Sequence, residues 1–249
     1  MGSTGNSKSS NKYANNPTND KNDLSGVTSF PDDTVLGNDK AIEAATKWFA
    51  DDKMSNYIEW TDKLTTDEYD AIRFYTGSGY DELNKELYEL SWDKMDDDLK
   101  SYASDLYEGI NKFELNKAIN ITRATSASYV FEGTSKWVGE NTVADAETIK
   151  KAIKENPYKQ FNGFQSASTG AEPVFGGNLV IHYVIPPSKG AGAYVQPMSR
   201  HGSEREFVIN SNAVVKFDPN SVRIDNEERI HVNAEWVGQA YDQHFDKKR

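Results

Sequence analysis

The sequence predicts an α+β protein, with helices in the first half of the folded chain and strands in the second. Between residues 40 and 110, apolar residues recur three and four positions apart, as they do on the buried face of a helix. After about residue 118, short runs rich in β-branched and aromatic residues alternate with Gly, Pro and Asn. Helices followed by strands favour α+β over the alternating order of parallel-sheet proteins.

The N-terminal segment differs in composition from the rest of the chain. Residues 1 to about 28 are mainly Ser, Asn, Gly, Thr, Asp and Lys, so they have little apolar surface to bury. We predict a disordered tail or linker over residues 1–37 and one folded domain over residues 38–249.

The helices follow from apolar spacing and from capping residues. They are predicted over residues 40–50, 56–64, 66 to the Gly77-Ser78-Gly79 break, 80–90, 98–110 and 144–154. Strands are predicted over residues 118–122, 128–131, 162–166, 179–185, 206–209, 213–218 and 229–237.

Composition excludes several classes of function. The net charge is −11 and no basic stripe is present, which argues against a nucleic-acid-binding protein. The chain has no cysteine, so disulfides, thiolate catalysis and cysteine zinc sites are excluded. No apolar stretch approaches the ~20 residues of a membrane span, and no signal peptide is visible. The four histidines show no metal-ligand spacing and are interpreted as structural or surface residues; they are His182, His201, His231 and His244.

Two glutamates, Glu204 and Glu206, stand at the start of the apolar run Phe207-Val208-Ile209. If this segment is extended, alternation places both side chains on one face, with Cβ atoms about 6.5–7 Å apart. Two carboxylates at that separation can serve one small cationic centre. The alternative is a solvated pair on an exposed edge strand.

Four further stretches precede this pair in a fixed order. They are Ile72–Tyr80 followed by Asn84, then Ile121–Arg123, Gly163–Ser168 and Ile185–Tyr194. Each has an ordinary interpretation alone: Tyr75 as a core aromatic, Asn84 as a helix-surface amide, Arg123 as a salt-bridge residue, and the serines as strand residues.

Taken together and in this order, the stretches resemble the bacterial mono-ADP-ribosyltransferase toxin family, which includes clostridial binary actin-modifying toxins and Rho-modifying exoenzymes. That family has a Tyr-Thr-Gly helix, an arginine-ended strand, an aromatic-x-Ser-Thr-Ser strand and a final Gln-x-Glu or Glu-x-Glu. The resemblance covers about residues 40 to 240. The departures are Ala167 in Ser166-Ala167-Ser168, Ala124 where a second arginine often stands, and Gly163 where some relatives have an amide.

The resemblance implies the ADP-ribosyltransferase fold, an N-terminal helical lobe on a two-sheet mixed β core, and NAD as substrate without a metal. It implies that Glu206 faces an oxocarbenium-like ribose and that Ser166 holds Glu206 in position. The implied NAD-binding residues are Arg123 on the pyrophosphate, Tyr75 and Asn84 on the adenosine and phosphate side, Ser168, and Phe175. Phe175 either stacks on nicotinamide or anchors its own loop.

Glu204 determines the expected acceptor. Family members with Glu-x-Glu usually modify arginine, so the resemblance implies a monomeric enzyme that modifies an arginine of a host protein, with actin as one candidate. Such a toxin is secreted or delivered and acts in the target-cell cytosol. Two alternatives stay open: an NAD glycohydrolase with water as acceptor, and a catalytically dead interaction module of the same fold.

Overall fold

A computed structural model describes residues 56–89, 92–116, 118–132, 135–138, 141–169, 173, 176–201, 204–242 and 244–245. The predicted tail over residues 1–37, the helix predicted over residues 40–50 and Phe175 lie outside the described residues.

The predicted order of helices first and strands later is confirmed. Residues 56–61 are helical, and they precede α1. The remaining helices are α1 (Thr66–Phe74), α2 (Tyr80–Tyr88), α3 (Asp97–Asn111), α4 (Ala127–Val130) and α5 (Ala146–Glu155), with short 3₁₀ turns at Trp92–Lys94 and Pro219–Ser221.

Side-chain caps set the start of two of these helices. The Thr65 hydroxyl accepts a hydrogen bond from the Glu68 amide at 3.2 Å, and Glu68 Oε2 accepts one from the Thr65 amide at 2.8 Å. This reciprocal capping box starts α1 one residue after Thr65. Asp96 caps α3 by accepting a hydrogen bond from the Leu99 amide at 2.7 Å.

The predicted break at Gly77-Ser78-Gly79 is confirmed, because the chain kinks there between α1 and α2. A π-helical segment, Tyr75–Gly79, joins α1 to α2, and the bend falls at Gly77, where φ is −101° and ψ is −111°. Glycine lacks the Cβ that disfavours this backbone region, so Gly77 can adopt a non-helical conformation and bend the chain between the two helices.

Thirteen strands are described, and they form one large mixed sheet and two small ribbons. They are β1 (Glu114–Leu115), β2 (Ile119–Thr125), β3 (Ser135–Val138), β4 (Asn141–Ala144), β5 (Tyr158–Phe161), β6 (Gln165–Ser168), β7 (Leu179–Ile185), β8 (Ser188–Lys189), β9 (Gly192–Tyr194), β10 (Glu206–Ile209), β11 (Ala213–Phe217), β12 (Arg223–Ile224) and β13 (Ile230–Gln239). The large sheet runs β5-β11-β13-β7-β2-β6-β10-β9, with β12 on β13. Strands β13 and β7 are parallel, whereas the other pairs are antiparallel.

The large sheet has a narrow junction in its middle. Strands β2 and β7 pair from Ile119 to Thr125. In the described chain, β2 and β6 share one paired position, Thr122 opposite Ser168. The sheet therefore consists of two parts that meet at this position, which matches the predicted two-sheet core.

The strand predicted over residues 128–131 is wrong, because Ala127–Val130 is a helical turn. The Ala127 amide donates to Asn178 Oδ1 at 2.7 Å, and the Phe131 amide donates to the Ala127 carbonyl at 2.8 Å. Ala127 and Val130 are buried, whereas Tyr129 is exposed, as helical spacing requires. A long-range side-chain contact thus overrides the local β-propensity of this segment.

A buried amide fastens the helical lobe to the large sheet. Asn210, directly after β10, is 0% exposed. Its Nδ2 donates to the Gly190 carbonyl and to Asn111 Oδ1, both at 3.1 Å. It therefore joins the end of α3 to the turn after β8.

We expect Asn210→Asp to lower the free energy of unfolding by about 2–4 kcal/mol, because a carboxylate keeps the shape but cannot donate to the two oxygens. Denaturant unfolding measures the change. Asn220→Asp on the exposed Pro219–Ser221 turn is the matched control and should change stability by less than about 0.5 kcal/mol. Equal effects of the two substitutions would contradict the role given to Asn210.

Candidate active site

Glu206 is a buried carboxylate at the first position of β10. Its side chain is 2% exposed. The backbone amide of Glu206 donates to Gln196 Oε1 at 2.9 Å, and its carbonyl accepts from the Val195 amide at 3.1 Å. The Ser199 hydroxyl donates to Glu206 Oε2 at 3.0 Å. The loop after β9 therefore fixes both the backbone and the side chain of this residue.

Burial and hydrogen bonding have opposite effects on the pKa of the Glu206 carboxyl. Burial raises the pKa of the Glu206 carboxyl above its ordinary value. Hydrogen bonds from the Ser166 and Ser199 hydroxyls lower it again, and the nearby negative charge of Glu204 adds to the raising effect. The two hydroxyls thus favour the ionised form of a carboxylate that has little contact with water.

A chain of side-chain hydrogen bonds connects α2 to β6 beside this carboxylate. The Tyr75 hydroxyl accepts from Asn84 Nδ2 at 3.3 Å, and its oxygen lies 3.4 Å from the Ser166 hydroxyl oxygen. The Tyr75 ring is 1% exposed and packs edge-on against Phe164, with ring centroids 5.6 Å apart. Burial raises the pKa of Tyr75, so the phenol stays neutral. The structure therefore brings Tyr75, Asn84, Ser166 and Glu206 together.

Close packing at the wall of the site explains one departure from the family pattern. A Cβ atom on Gly163 would lie 2.6 Å from Asn84 Oδ1 and 2.8 Å from the Tyr88 ring. Glycine is therefore the residue that lets α2 approach β6 here. Asn84 Oδ1 has no hydrogen-bond partner among the described residues, which leaves a free acceptor next to this wall.

Arg123 lies within β2, two residues before the end of the strand. Its Nη1 donates to the Ser166 carbonyl at 2.5 Å, close to the junction of the two parts of the sheet. No ion pair joins it to a carboxylate in the part of the chain that is described, so the salt-bridge interpretation receives no support there. Arg123 thus presents a charged group next to Ser166.

The extended geometry predicted for Glu204 and Glu206 is wrong. Strand β10 begins at Glu206, and Arg205 has a φ of +49°, so the backbone turns between the two glutamates. The Glu204 amide donates to the His201 carbonyl at 3.3 Å. Glu204 is half-buried, and its charge still acts on the Glu206 carboxyl. The pair is close in space, but alternation along a strand is not the reason.

Other predicted site residues have clear positions. Ser168 is 0% exposed and lies opposite both Glu206 and Thr122 in the sheet. Sequence reasoning missed Gln196 and Ser199, which both contact Glu206. The antiparallel pairing of β9 with β10 brings the residues after Tyr194 back to the start of β10, and this is why Gln196 and Ser199 lie against Glu206.

The histidines have contacts that fit structural roles. His182 and His231 bond to each other at 3.1 Å, His231 bonds to Asp225 at 2.9 Å, and the His244 ring stacks on Trp92. Within the described residues, no group of three His, Asp or Glu side chains is placed to hold a metal ion. No helix of the described chain is long and apolar enough to cross a bilayer.

Comparison with known proteins agrees with this geometry. The profile of the ADP-ribosyltransferase exoenzyme family matches residues 47–238. No curated protein matches the sequence.

Solved structures with the same fold include three bacterial proteins. Plx2a, an ADP-ribosyltransferase toxin from Paenibacillus larvae, has a TM-score of 0.64 and 22% identity over 79% of this chain and 96% of its own. The C3 exoenzyme of Clostridium limosum has a TM-score of 0.63 and 16% identity over 78% of this chain and 94% of its own. BECa, the ADP-ribosylating toxin of a binary enterotoxin of C. perfringens, was solved with NADH and has a TM-score of 0.63 and 18% identity over 79% of this chain and 48% of its own.

The profile match spans most of the sequence, and the fold is that of these transferases. The chain therefore belongs to the ADP-ribosyltransferase exoenzyme family, whose members transfer ADP-ribose from NAD.

Proposed function

We propose that this chain transfers ADP-ribose from NAD to an arginine side chain of a target protein and releases nicotinamide. The observation that carries the proposal is the buried Glu206 carboxylate, held by Ser199, with the less buried Glu204 beside it. One negative group is thus shielded from water, and the other is accessible to an incoming cation.

The reaction assigns a different step to each glutamate. The bond between the ribose anomeric carbon and nicotinamide breaks, nicotinamide leaves with the bonding pair, and positive charge develops on the ribose. Glu206 supplies a fixed negative charge that faces this centre. A guanidino nitrogen then bonds to the anomeric carbon, and its proton goes to Glu204 as the general base.

The other residues position NAD or the glutamates. Arg123 is assigned to the pyrophosphate, because a guanidinium makes charge-assisted hydrogen bonds to phosphate oxygens. Asn84 is assigned to the adenosine and phosphate side, and its buried Oδ1 has no partner among the described residues. Tyr75 is fully buried, so we assign it to holding Asn84 and Ser166. Ser168 supports Glu206 from the opposite strand, and Phe175 is retained as a candidate for the nicotinamide contact.

The biological setting rests on the family. We propose residues 38–249 as the catalytic domain, which includes the matched range 47–238. A monomeric toxin that is secreted or delivered and modifies a host protein in the target-cell cytosol fits this family. Actin is one candidate acceptor.

An NAD-consumption assay with and without agmatine, a small guanidino compound, tests the proposed function. Nicotinamide release that agmatine stimulates, with formation of ADP-ribosyl-agmatine, supports the transferase. Release that agmatine does not change would indicate an NAD glycohydrolase. No release would indicate an interaction module, although the preserved set of Arg123, Ser166, Glu204 and Glu206 favours an active enzyme.

We expect Glu206→Gln to lower both transfer and NAD hydrolysis by at least ~10²-fold, the scale for one preorganised electrostatic group. Glutamine keeps the shape and removes a buried charge, so the melting temperature should stay the same or rise. Nicotinamide release and thermal unfolding measure the two effects. Near-normal turnover in the variant would overturn the assignment of Glu206.

Glu204→Gln should separate the two half-reactions. Transfer to agmatine should be abolished, whereas NAD hydrolysis should remain measurable, because Glu204 is assigned to the guanidinium proton and not to bond breaking. Both products are measured in the same reaction mixture. A fall of transfer and hydrolysis by the same factor would place Glu204 in the bond-breaking step instead.

Ser199→Ala should move the acid limb of kcat/KM for NAD to higher pH. The Ser199 hydroxyl lowers the pKa of Glu206, so its loss raises that pKa, and the ionised form needed for catalysis appears only at higher pH. Ser199→Thr keeps a hydroxyl and should restore the limb. Ser188→Ala is the matched control, because the Ser188 hydroxyl bonds to the Pro186 carbonyl. An acid limb that Ser199→Ala leaves in place would contradict this role.

A further inference from the structure

Two tyrosines from separate elements form an aromatic corner beside the candidate site. Tyr129 lies on α4 and is 42% exposed, whereas Tyr88 lies at the end of α2 and is half-buried. Their ring centroids are 5.0 Å apart and the ring planes meet at 85°. The two rings therefore pack edge to face, and Tyr129 keeps part of its surface open to a ligand.

The same corner lies next to Arg123. The Tyr88 hydroxyl donates to the Phe164 carbonyl at 3.3 Å, and Arg123 Nη1 donates to the Ser166 carbonyl. Phe164 lies directly before β6 and Ser166 lies within it. Two residues of extended chain span about 6.5–7 Å. Burial raises the pKa of the Tyr88 and Tyr129 phenols, and the Arg123 charge opposes that effect. An aromatic surface therefore adjoins a cation.

A ligand that fits this corner combines a flat aromatic base with a phosphate. Bases stack on tyrosine rings, and phosphate oxygens pair with a guanidinium. Tyr75, the aromatic that the sequence suggested for this part of the site, cannot offer a ring face because it is 1% exposed. Ala124, which follows Arg123, adds no second charge for a phosphate at this position.

We propose that Tyr129, supported by Tyr88, is the surface on which the adenine ring of NAD stacks. This rests on the proposed function for NAD as the substrate. The assignment makes Tyr129 a binding residue for the half of NAD that does not react, so its loss should weaken binding and leave the chemical step intact.

Titration calorimetry with ADP tests the proposal on the full chain, because ADP has the base and the pyrophosphate but no nicotinamide. Tyr129→Ala should weaken ADP binding roughly 5- to 150-fold, the range for loss of one base–aromatic contact. Tyr129→Phe keeps the ring and should bind within about threefold of the unaltered chain. Tyr241→Ala removes another exposed tyrosine, 64% exposed, and is the matched control.

Kinetics provide a second readout. In NAD hydrolysis, Tyr129→Ala should raise KM and leave kcat within about twofold, with an unchanged melting temperature. Unchanged ADP affinity, or equal weakening by Tyr241→Ala, would overturn the proposal. If the chain binds ADP through Tyr129 but consumes no NAD, the adenine-stacking proposal holds and only the proposed function fails.

Discussion

The candidate site depends on the single position at which β2 and β6 meet in the described chain, Thr122 opposite Ser168. Because the strands pair no further, the Ser166 carbonyl near the junction accepts the Arg123 guanidinium. The kinked helix pair α1 and α2 then places Tyr75 against Ser166.

Burying the Glu206 carboxylate at this junction lowers the free energy of unfolding. A carboxyl whose pKa is raised by folding loses its proton more easily in the unfolded chain, so stability falls as pH rises from the ordinary carboxyl pKa through the folded one. The hydroxyls of Ser166 and Ser199 limit that cost by bonding to the ionised form. The charge is therefore held in place by the fold and is available before substrate arrives, which is the condition for electrostatic catalysis.

Local sequence predicted five of the described helical segments because apolar spacing is a local signal. It predicted six of the thirteen described strands, namely β2, β6, β7, β10, β11 and β13, because most of the others are too short to show a pattern. The ordered motifs also indicated residues that the structure joins, namely Tyr75, Asn84 and Ser166, although three helices and several strands separate Asn84 from Ser166 in the sequence. Two predictions failed for physical reasons. The turn at Ala127 depends on Asn178, far along the chain. The bend between the glutamates depends on a positive φ at Arg205, and an arginine in the sequence does not predict that conformation.

That bend gives the two glutamates different environments although they are two residues apart. A regular strand would put both side chains on one face, with similar access to water. The left-handed residue instead leaves Glu204 half-buried and Glu206 almost fully covered. In the proposed transfer, an arginine that approaches from solvent would meet Glu204 while Glu206 stays with the ribose. The negative charge of Glu204 raises the pKa of the Glu206 carboxyl. A guanidinium that binds Glu204 would neutralise that charge and so lower the pKa of Glu206. Acceptor binding would thus add to the ionisation of Glu206 that the Ser166 and Ser199 hydroxyls already favour.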